Sequence, residues 1–385
     1  MAFKGQISYS SPFAQTRRLI MDHAVFIQTN HKQITGAIVA EHALRRYSEN
    51  NDKFDVQIMD SRDYPFFAEH EGQEYLRDGV KRTWLNDDLQ SFTPTRFMPP
   101  KLMGYEGRAV VIDPDIFATT DIYELLTRDM QGKAIMCRMR SGPKGLIDKC
   151  MASSVMLLEC DRLKHWDAEA KFQAMFEFTQ DYQPWVCLKE EDQETIGFFE
   201  PEWNDFDNLT PDTKLLHNTK RKTQPWKTGL PTDWRPAERF RLFPPAAWIM
   251  RARRHLFGEY AFLGNYKQHP DMNQQNFFFG LLKECINEGK ISLTASDKIN
   301  IVMPVTTMLY ASNIKDTDNE LFILDFSPQM HFQTGRFMTS VGVNIYHDEQ
   351  LKSNVWPKLE VAYGIVKNYI QLIAGTDQKY RMNDL

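Results

Sequence analysis

The sequence predicts an α/β fold, a mixed sheet flanked by helices, followed by a largely helical C-terminal extension. Three observations carry this expectation. Residues 23–30 form an apolar run that ends in Gln28, Thr29 and Asn30, and an apolar period of about 3.6 residues follows it from Ile34 to Tyr47. Residues 109–112, Ala-Val-Val-Ile, lead straight into Asp113-Pro114-Asp115, and ligands of open α/β sheets bind outside the C-terminal ends of the strands. Beyond Pro244-Pro245, apolar residues recur at helical spacing.

Taken in order, residues 23–30 read as a first buried strand and Ile34 to Tyr47 as the helix that returns from it. Residues 54–60, Phe-Asp-Val-Gln-Ile-Met-Asp, are the second strand and residues 109–112 a further one. The clearest boundary falls where Gly229, Pro231, Pro236 and the Pro244-Pro245 pair punctuate the chain, which divides it into 1–235 and 236–385. In the second part, residues 246–257 mix Trp248, Met250, Leu256 and Phe257 with Arg251, Arg253 and Arg254. Such a helix either lies on an anionic membrane or packs its apolar stripe into the domain and solvates its arginines. His269-Pro270-Asp271 marks a turn into a buried helix that runs to about Glu288, with Gly289 as its stop. Val355, Leu359, Ala362, Val366, Tyr369, Ile370 and Ile373 recur at helical spacing, so an amphipathic C-terminal helix is expected to dock on the rest of the chain or on a second copy.

Asp113 and Asp115, one residue apart after a buried strand, offer two hard oxygen ligands for a divalent ion, and a metal-bound phosphate is the chemistry that suits such a turn. Asp and Pro also form turns after strands. A second segment, residues 215–229, places His217 ahead of Lys220, Arg221 and Lys222 and then Gln224-Pro225-Trp226-Lys227.

Together the two segments resemble the donor site of the GT-A glycosyltransferases, family 8 above all, which contains glycogenin and the bacterial lipopolysaccharide galactosyltransferases. The resemblance implies a GT-A fold, a Rossmann-like nucleotide-sugar-binding sheet. It also implies a metal site made of Asp113, Asp115 and His217, with Mn²⁺ or Mg²⁺ bound to the diphosphate of a UDP-sugar. The family pattern His-x-x-Gly-x-x-Lys-Pro-Trp is altered here. Lys220 stands at the Gly position, Gln224 precedes Pro225, and one residue is inserted. Lys220, Arg221, Lys222 and Lys227 are therefore all candidates for the phosphate-binding cation. Residues 95–102 resemble the family's arginine-bearing helix, which makes Arg96 a donor contact. Residues 152–158 resemble the Asn-Ser-Gly-Val-Met-Leu strand, with Ala152 and Ser154 at the Asn and Gly positions. Asp192-Gln193 resembles the family's Asp-Gln pair and Trp203-Asn204 the aromatic-Asn before the metal His.

On this resemblance, covering roughly residues 20 to 230, Gln28, Thr29, Asn30, Arg96, Pro114, Ser153, Ser154, Lys220, Gln224, Trp226 and Lys227 are expected to bind the donor, with Asp192, Gln193 and Lys222 serving the reaction. The implied activity is sugar transfer from a UDP-sugar to a carbohydrate, glycolipid or small-molecule acceptor, with retention at the anomeric carbon. The part over 1–235 is then the catalytic domain, and 236–385 serves the acceptor, an oligomer or a membrane surface.

With 385 residues, 42% of them hydrophobic, the chain can bury a sizeable core. Its net charge of −5 and pI near 6.1 argue against general nucleic-acid binding, which demands an excess of Lys and Arg on one face. Five cysteines without a Cys-x-x-Cys pair speak against a disulfide framework and for reduced thiols. The first residues lack the apolar core of a signal peptide, and no run approaches the roughly 18 apolar residues of a spanning helix. A cytoplasmic protein, at most peripheral at the inner membrane face through 246–257, is the expectation. Two other readings compete: an Asp-nucleophile phosphatase, which also places Asp-x-Asp after a strand, and a non-catalytic nucleotide-sugar-binding or interaction protein.

Overall fold

The computed structural model describes residues 22–140, 150–234, 256 and 263–291, and the backbone of six strands between residues 308 and 376. The chain divides into two compact units, Ala2–Thr294 and Ala295–Leu385 together with Met1.

The first unit is built on a mixed sheet flanked by helices. Strand β1 (His23–Thr29) is followed by helix α1 (Ile34–Arg46) and strand β2 (Asp55–Asp60). A hairpin of β3 (Glu74–Arg77) and β4 (Val80–Thr83) comes next, then β5 (Arg108–Ile112), β6 (Ile116–Ala118), β7 (Ile135–Arg138) and β8 (Ala152–Glu159). Helices α2 (Ala168–Phe176) and α3 (Tyr182–Val186) lead to β9 (Ile196–Phe198), β10 (Asp205–Phe206) and β11 (Leu215–His217). Helix α4 (Met272–Asn287) closes the unit.

The main sheet has the order β2-β1-β5-β8-β7-β9, with β1 parallel to β2 and β5, and β8 antiparallel to β5 and β7. A second, three-stranded sheet runs β10-β11-β6. Both faces of the main sheet are covered, which is why its central strands read as near-continuous apolar runs rather than alternating ones. Successive residues of β1 go to opposite cores. Val25 and Ile27 pack with Val110, Ile112, the inner face of α1 and Phe278, Leu281 and Leu282 of α4. Ala24 and Phe26 pack with Val111, Met156, Phe97, Trp166, Phe172 and Trp185 on the other side.

The strands at 23–30, 54–60 and 109–112 and the helix after the first form where expected. The helix predicted from 271 to 288 is α4: Asp271 caps it through Asn273 N at 2.8 Å, and Gly289, at φ 73°, lies just past its end. Residues 95–102 are not one helix. Thr93–Phe97 is a 3₁₀ turn carrying Arg96, and a separate short helix spans Pro99–Leu102, because Pro99 and Pro100 have no N–H to continue the ladder from the preceding turn.

Two expectations are corrected. Cys150 and Cys187 form a disulfide, so the cysteines are not all reduced thiols, while Cys137, Cys160 and Cys285 are free and buried. An odd count still allows pairs, and what made this one was the adjacency of the start of β8 to the end of α3, which spacing does not show. The stretch from Val355 to Ile373 is not an amphipathic helix but two strands, β16 (Lys352–Val366) and β17 (Ile370–Thr376). Pro357 and Gly364 interrupt any helix there, and the Val, Ile and Tyr residues that supplied the apparent period favour strands.

The second unit is antiparallel throughout its strands, β12 (Met308–Ser312), β13 (Leu321–Phe326), β14 (Gln329–Thr334) and β15 (Phe337–Asp348) preceding β16 and β17. Their order is β12-β13-β15-β16-β17, with β14 also pairing β15. The arginine-bearing stretch 246–257 lies outside the described residues apart from exposed Leu256. Among the described residues, no helix is long and apolar enough to cross a membrane.

Candidate metal and donor site

Strand β5 ends where the sequence places the carboxylates. Its buried residues 109–112 align antiparallel with β8, and the pairing runs one step further, Asp113 N donating to Ser154 O at 3.1 Å. Asp113 O then accepts from Ile116 N at 3.3 Å, closing a turn over Pro114 and Asp115 before β6 begins. Strand β11 pairs antiparallel with β6, placing His217 opposite Ile116, and Asp115 O accepts from Asn218 N at 3.0 Å. A residue 102 positions downstream is thus delivered beside Asp115 by backbone pairing.

Ligand atoms of Asp113, Asp115 and His217 all lie within 4.8 Å of one another. His217 Nε2 stands 3.4 Å from Asp115 Oδ1. The other ring nitrogen, Nδ1, is 2.8 Å from Asn204 Oδ1, while Asn204 Nδ2 donates to Ser154 Oγ at 3.0 Å. Nδ1 therefore carries the proton and Nε2 faces the carboxylates, the orientation a metal-ligating imidazole needs.

The carboxylates are held in turn. Arg96 Nη2 donates to Asp113 Oδ1 at 3.0 Å and Nη1 to Ser153 Oγ at 2.6 Å, and Ser153 Oγ donates to Val186 O at 2.6 Å. Gln28 Nε2 also donates to Asp113 Oδ1. On the other side Gln224 Nε2 donates to Asp115 Oδ2 at 3.1 Å, Gln33 Nε2 to Gln224 Oε1 at 3.2 Å and Trp226 Nε1 to Gln33 Oε1 at 3.2 Å. Pro114 O lies against Gly36 of α1, where an added Cβ would come within 2.4 Å of it. Helix α4 braces the far side through Asn218 Nδ2 to Gln274 Oε1 at 2.9 Å.

The donor set of two carboxylate oxygens and one imidazole suits Mn²⁺ better than Mg²⁺. Asp115 Oδ1 is buried and, among the described residues, has only the long 3.4 Å approach of His217 Nε2, and so weakly satisfied an anionic oxygen is what a cation would complete. Burial and the neighbouring Asp115 raise the Asp113 carboxyl above its usual range, against the pull of Arg96. For His217, burial opposes the charge, but Asp115 and Asp113 outweigh it and the imidazole is raised. Both groups hold protons more tightly than free side chains, so a divalent ion must displace them. Mn²⁺ affinity is therefore expected to weaken as pH falls through the raised pKa of His217, with proton release on binding. In the metal-free protein the raised His217 stabilises the fold at low pH, and that stability is lost as pH rises through its folded-state pKa. Calorimetry in buffers of different ionisation enthalpy checks both; a pH-independent affinity would remove His217 from the ligand set.

The other expected site residues separate into groups. Gln28, Thr29, Asn30, Arg96, Ser153, Ser154, Gln224 and Trp226 are buried around the cluster. Asn30 is committed to the loop above it, donating to Asp88 O and Ser91 Oγ, both at 3.0 Å. Lys220 and Lys222 are exposed on the turn after β11. Lys227 is buried, its Nζ 3.0 Å from Asp233 Oδ2, and burial pushes its ammonium down to about 8. Asp192 and Gln193 are exposed and bonded within their own loop, Asp192 to Glu194 N at 3.0 Å and Gln193 Nε2 to Leu188 O at 2.9 Å. Asn204 and Gln33, not among the expected site residues, orient the ligands. Trp203-Asn204 carried a signal as the aromatic-Asn pair before the His, whereas Gln33 carried none.

Neither known family descriptions nor curated proteins match this chain. Among solved structures, galactosyltransferase LgtC in complex with donor and acceptor sugar analogs is 12% identical, with a TM-score of 0.38, over 53% of this chain and 89% of that one. The glycosyltransferase GlyE of Streptococcus pneumoniae TIGR4 is 12% identical, with a TM-score of 0.39, over 71% and 65%. Mouse xyloside xylosyltransferase 1 is 13% identical, with a TM-score of 0.34, over 51% and 97%.

Proposed function

We propose that this protein is a metal-dependent glycosyltransferase that moves a sugar from a UDP-sugar to an acceptor hydroxyl of a carbohydrate, glycolipid or small molecule, with retention of anomeric configuration. The observation that carries the reading is the convergence of Asp113, Asp115 and His217 at the end of β5, with His217 oriented by Asn204. These three residues would hold Mn²⁺, or Mg²⁺, which would supply positive charge against the charge developing on a departing diphosphate.

The remaining residues hold that geometry. Arg96 and Gln28 fix Asp113, Gln224 fixes Asp115, and Asn204 keeps Nε2 of His217 free for the metal. In the retaining scheme the acceptor attacks from the face the diphosphate leaves, and its hydroxyl proton passes to the leaving phosphate, so no dedicated base is needed. The part beyond residue 235 is proposed to shape the acceptor side.

Titration of UDP into metal-stripped protein, with and without Mn²⁺, tests the reading, followed by a screen of UDP-sugars for slow hydrolysis. Mn²⁺-dependent UDP binding with turnover of one sugar is expected. UDP binding without any turnover would leave a binding module, and no UDP binding under either condition would sink the proposal.

A further inference from the structure

His217 takes its tautomer from Asn204, so whatever fixes Asn204 also fixes the metal ligand. Asn204 ends the 3₁₀ turn Pro201–Asn204, and β10 follows directly as Asp205–Phe206. This short stretch touches His217 twice. Asn204 Oδ1 holds Nδ1 at 2.8 Å. Phe206 is the register partner of His217 in the parallel pairing of β10 with β11, and its ring meets the imidazole edge-on, 5.4 Å between centres and 72° between planes.

Arg138, the last residue of β7, reaches both of these residues. Pairing of β7 with β8 runs regularly as far as Cys137 opposite Met156, then jumps to Arg138 opposite Ala152, skipping Ser153, Ser154 and Val155. Breaks of this kind re-aim side chains beside active sites. Ser154 in the skipped stretch receives Asn204 Nδ2 at 3.0 Å. Arg138 Nη1 donates to Asn204 O and, at 3.4 Å, to Pro201 O, the two ends of the turn. The same guanidinium stands 4.3 Å from the centre of the Phe206 ring. One side chain thus clasps the residues on either side of Asp205, and those are the two that touch the imidazole. A guanidinium suits the task because its planar fork donates to carbonyls while its face lies on an aromatic ring, whereas an ammonium is a compact point charge.

We propose that Arg138 is a positioning residue of the metal site: acting through Asn204 and Phe206, it holds His217 with Nδ1 protonated and Nε2 turned toward the cation. The inference rests on the metal-dependent reading above. Partners that orient a ligating histidine set its tautomer and ring angle, and their loss weakens metal binding by about 10–100-fold. Arg138 acts one residue further out, so an effect near the lower figure is expected.

The test uses the full chain, the variants Arg138→Leu and Arg138→Lys, and Arg108→Gln as the control. Arg108 begins β5, at the end away from the cluster, and pairs with Glu159 at 2.9 Å; its loss is expected to cost stability without reaching His217. Mn²⁺ affinity is measured by calorimetry alongside the melting temperature. The His217 tautomer is read from imidazole nitrogen chemical shifts of the metal-free protein at alkaline pH, where the ring is neutral, and assigned by the signals lost in His217→Gln. Arg138→Leu is expected to lower Mn²⁺ affinity about tenfold and to turn a single Nδ1–H tautomer into a mixture, with Arg138→Lys falling between it and wild type. Should Arg138→Leu fail to fold, Arg138→Lys carries the same readouts. Mn²⁺ affinity close to that of wild type in the folded Arg138 variants, or an unchanged tautomer, would overturn the role. So would an equal loss of affinity in Arg108→Gln, which would make the effect one of general stability. Wild-type protein that binds no Mn²⁺ is a different result, and it overturns the metal reading together with this role.

Discussion

Asp115→Ala is expected to lower turnover of the UDP-sugar donor by about 10³-fold or more, since a bound divalent ion supplies several kcal/mol of charge stabilisation and each 1.36 kcal/mol is tenfold in rate. Its structural cost is expected to be small. The side chain gives up the bond from Gln224 Nε2 at 3.1 Å and the ion pair with His217 Nε2 at 3.4 Å, while the backbone carbonyl keeps its bond from Asn218 N. Loss of the carboxylate also relieves repulsion on Asp113, which Asp115 helps to raise. Thermal unfolding within a few degrees of wild type, near-complete loss of turnover and weakened Mn²⁺ binding are the expected outcome. Turnover within tenfold of wild type would mean that no catalytic metal sits between Asp113, Asp115 and His217.

Gly36→Ala is expected to destabilise the protein by about 1–2 kcal/mol net and to weaken Mn²⁺ binding, although Gly→Ala inside an exposed helix gains about 1 kcal/mol. The reason is contact. A Cβ at Gly36 would stand 2.4 Å from Pro114 O and 3.2 Å from Trp226 Cζ2. A flexible side chain could yield, but Pro114 O belongs to the backbone between the two metal carboxylates, so relief requires that turn to move. Gly36→Val enlarges both effects. Melting temperature and Mn²⁺ titration on the two variants measure them. A raised melting temperature with normal metal affinity in Gly36→Ala would show that α1 does not set the position of the turn.

How much was legible can be seen residue by residue. The strand into Asp113 could be read because burial on both faces leaves a continuous apolar run, and α4 could be read because Asp271 and Gly289 mark its ends. His217 could be paired with the Asp turn only through a resemblance, since nothing local ties a histidine to residues a hundred positions away; the pairing of β11 with β6 does so. Gln224, read as a replaced lysine, turned out to be a neutral amide holding Asp115. Gln33 gave no signal, because an amide at the start of a helix is unremarkable until Gln224 and Trp226 are folded against it. Lys227 looked like a phosphate ligand within its basic segment, yet in the fold its ammonium faces Asp233. The C-terminal strands were misread because Val, Ile and Tyr at mixed spacings satisfy a helical period as well as a strand, and Pro357 and Gly364 were the contrary signals.

Local chain chemistry therefore sufficed for the α/β layering, for the carboxylates at the end of β5, and for the residue types of a candidate divalent-ion centre. Apolar periodicity and strand-end carboxylates are properties of a few consecutive residues, so they survive in a linear reading. The tautomer of His217, the clamp on Asp113, the packing of Gly36 under Pro114 and the Cys150–Cys187 bond all needed the folded molecule. Each depends on side chains from distant elements brought within a few ångströms by sheet pairing and core packing, and spacing along the chain carries no record of such distances.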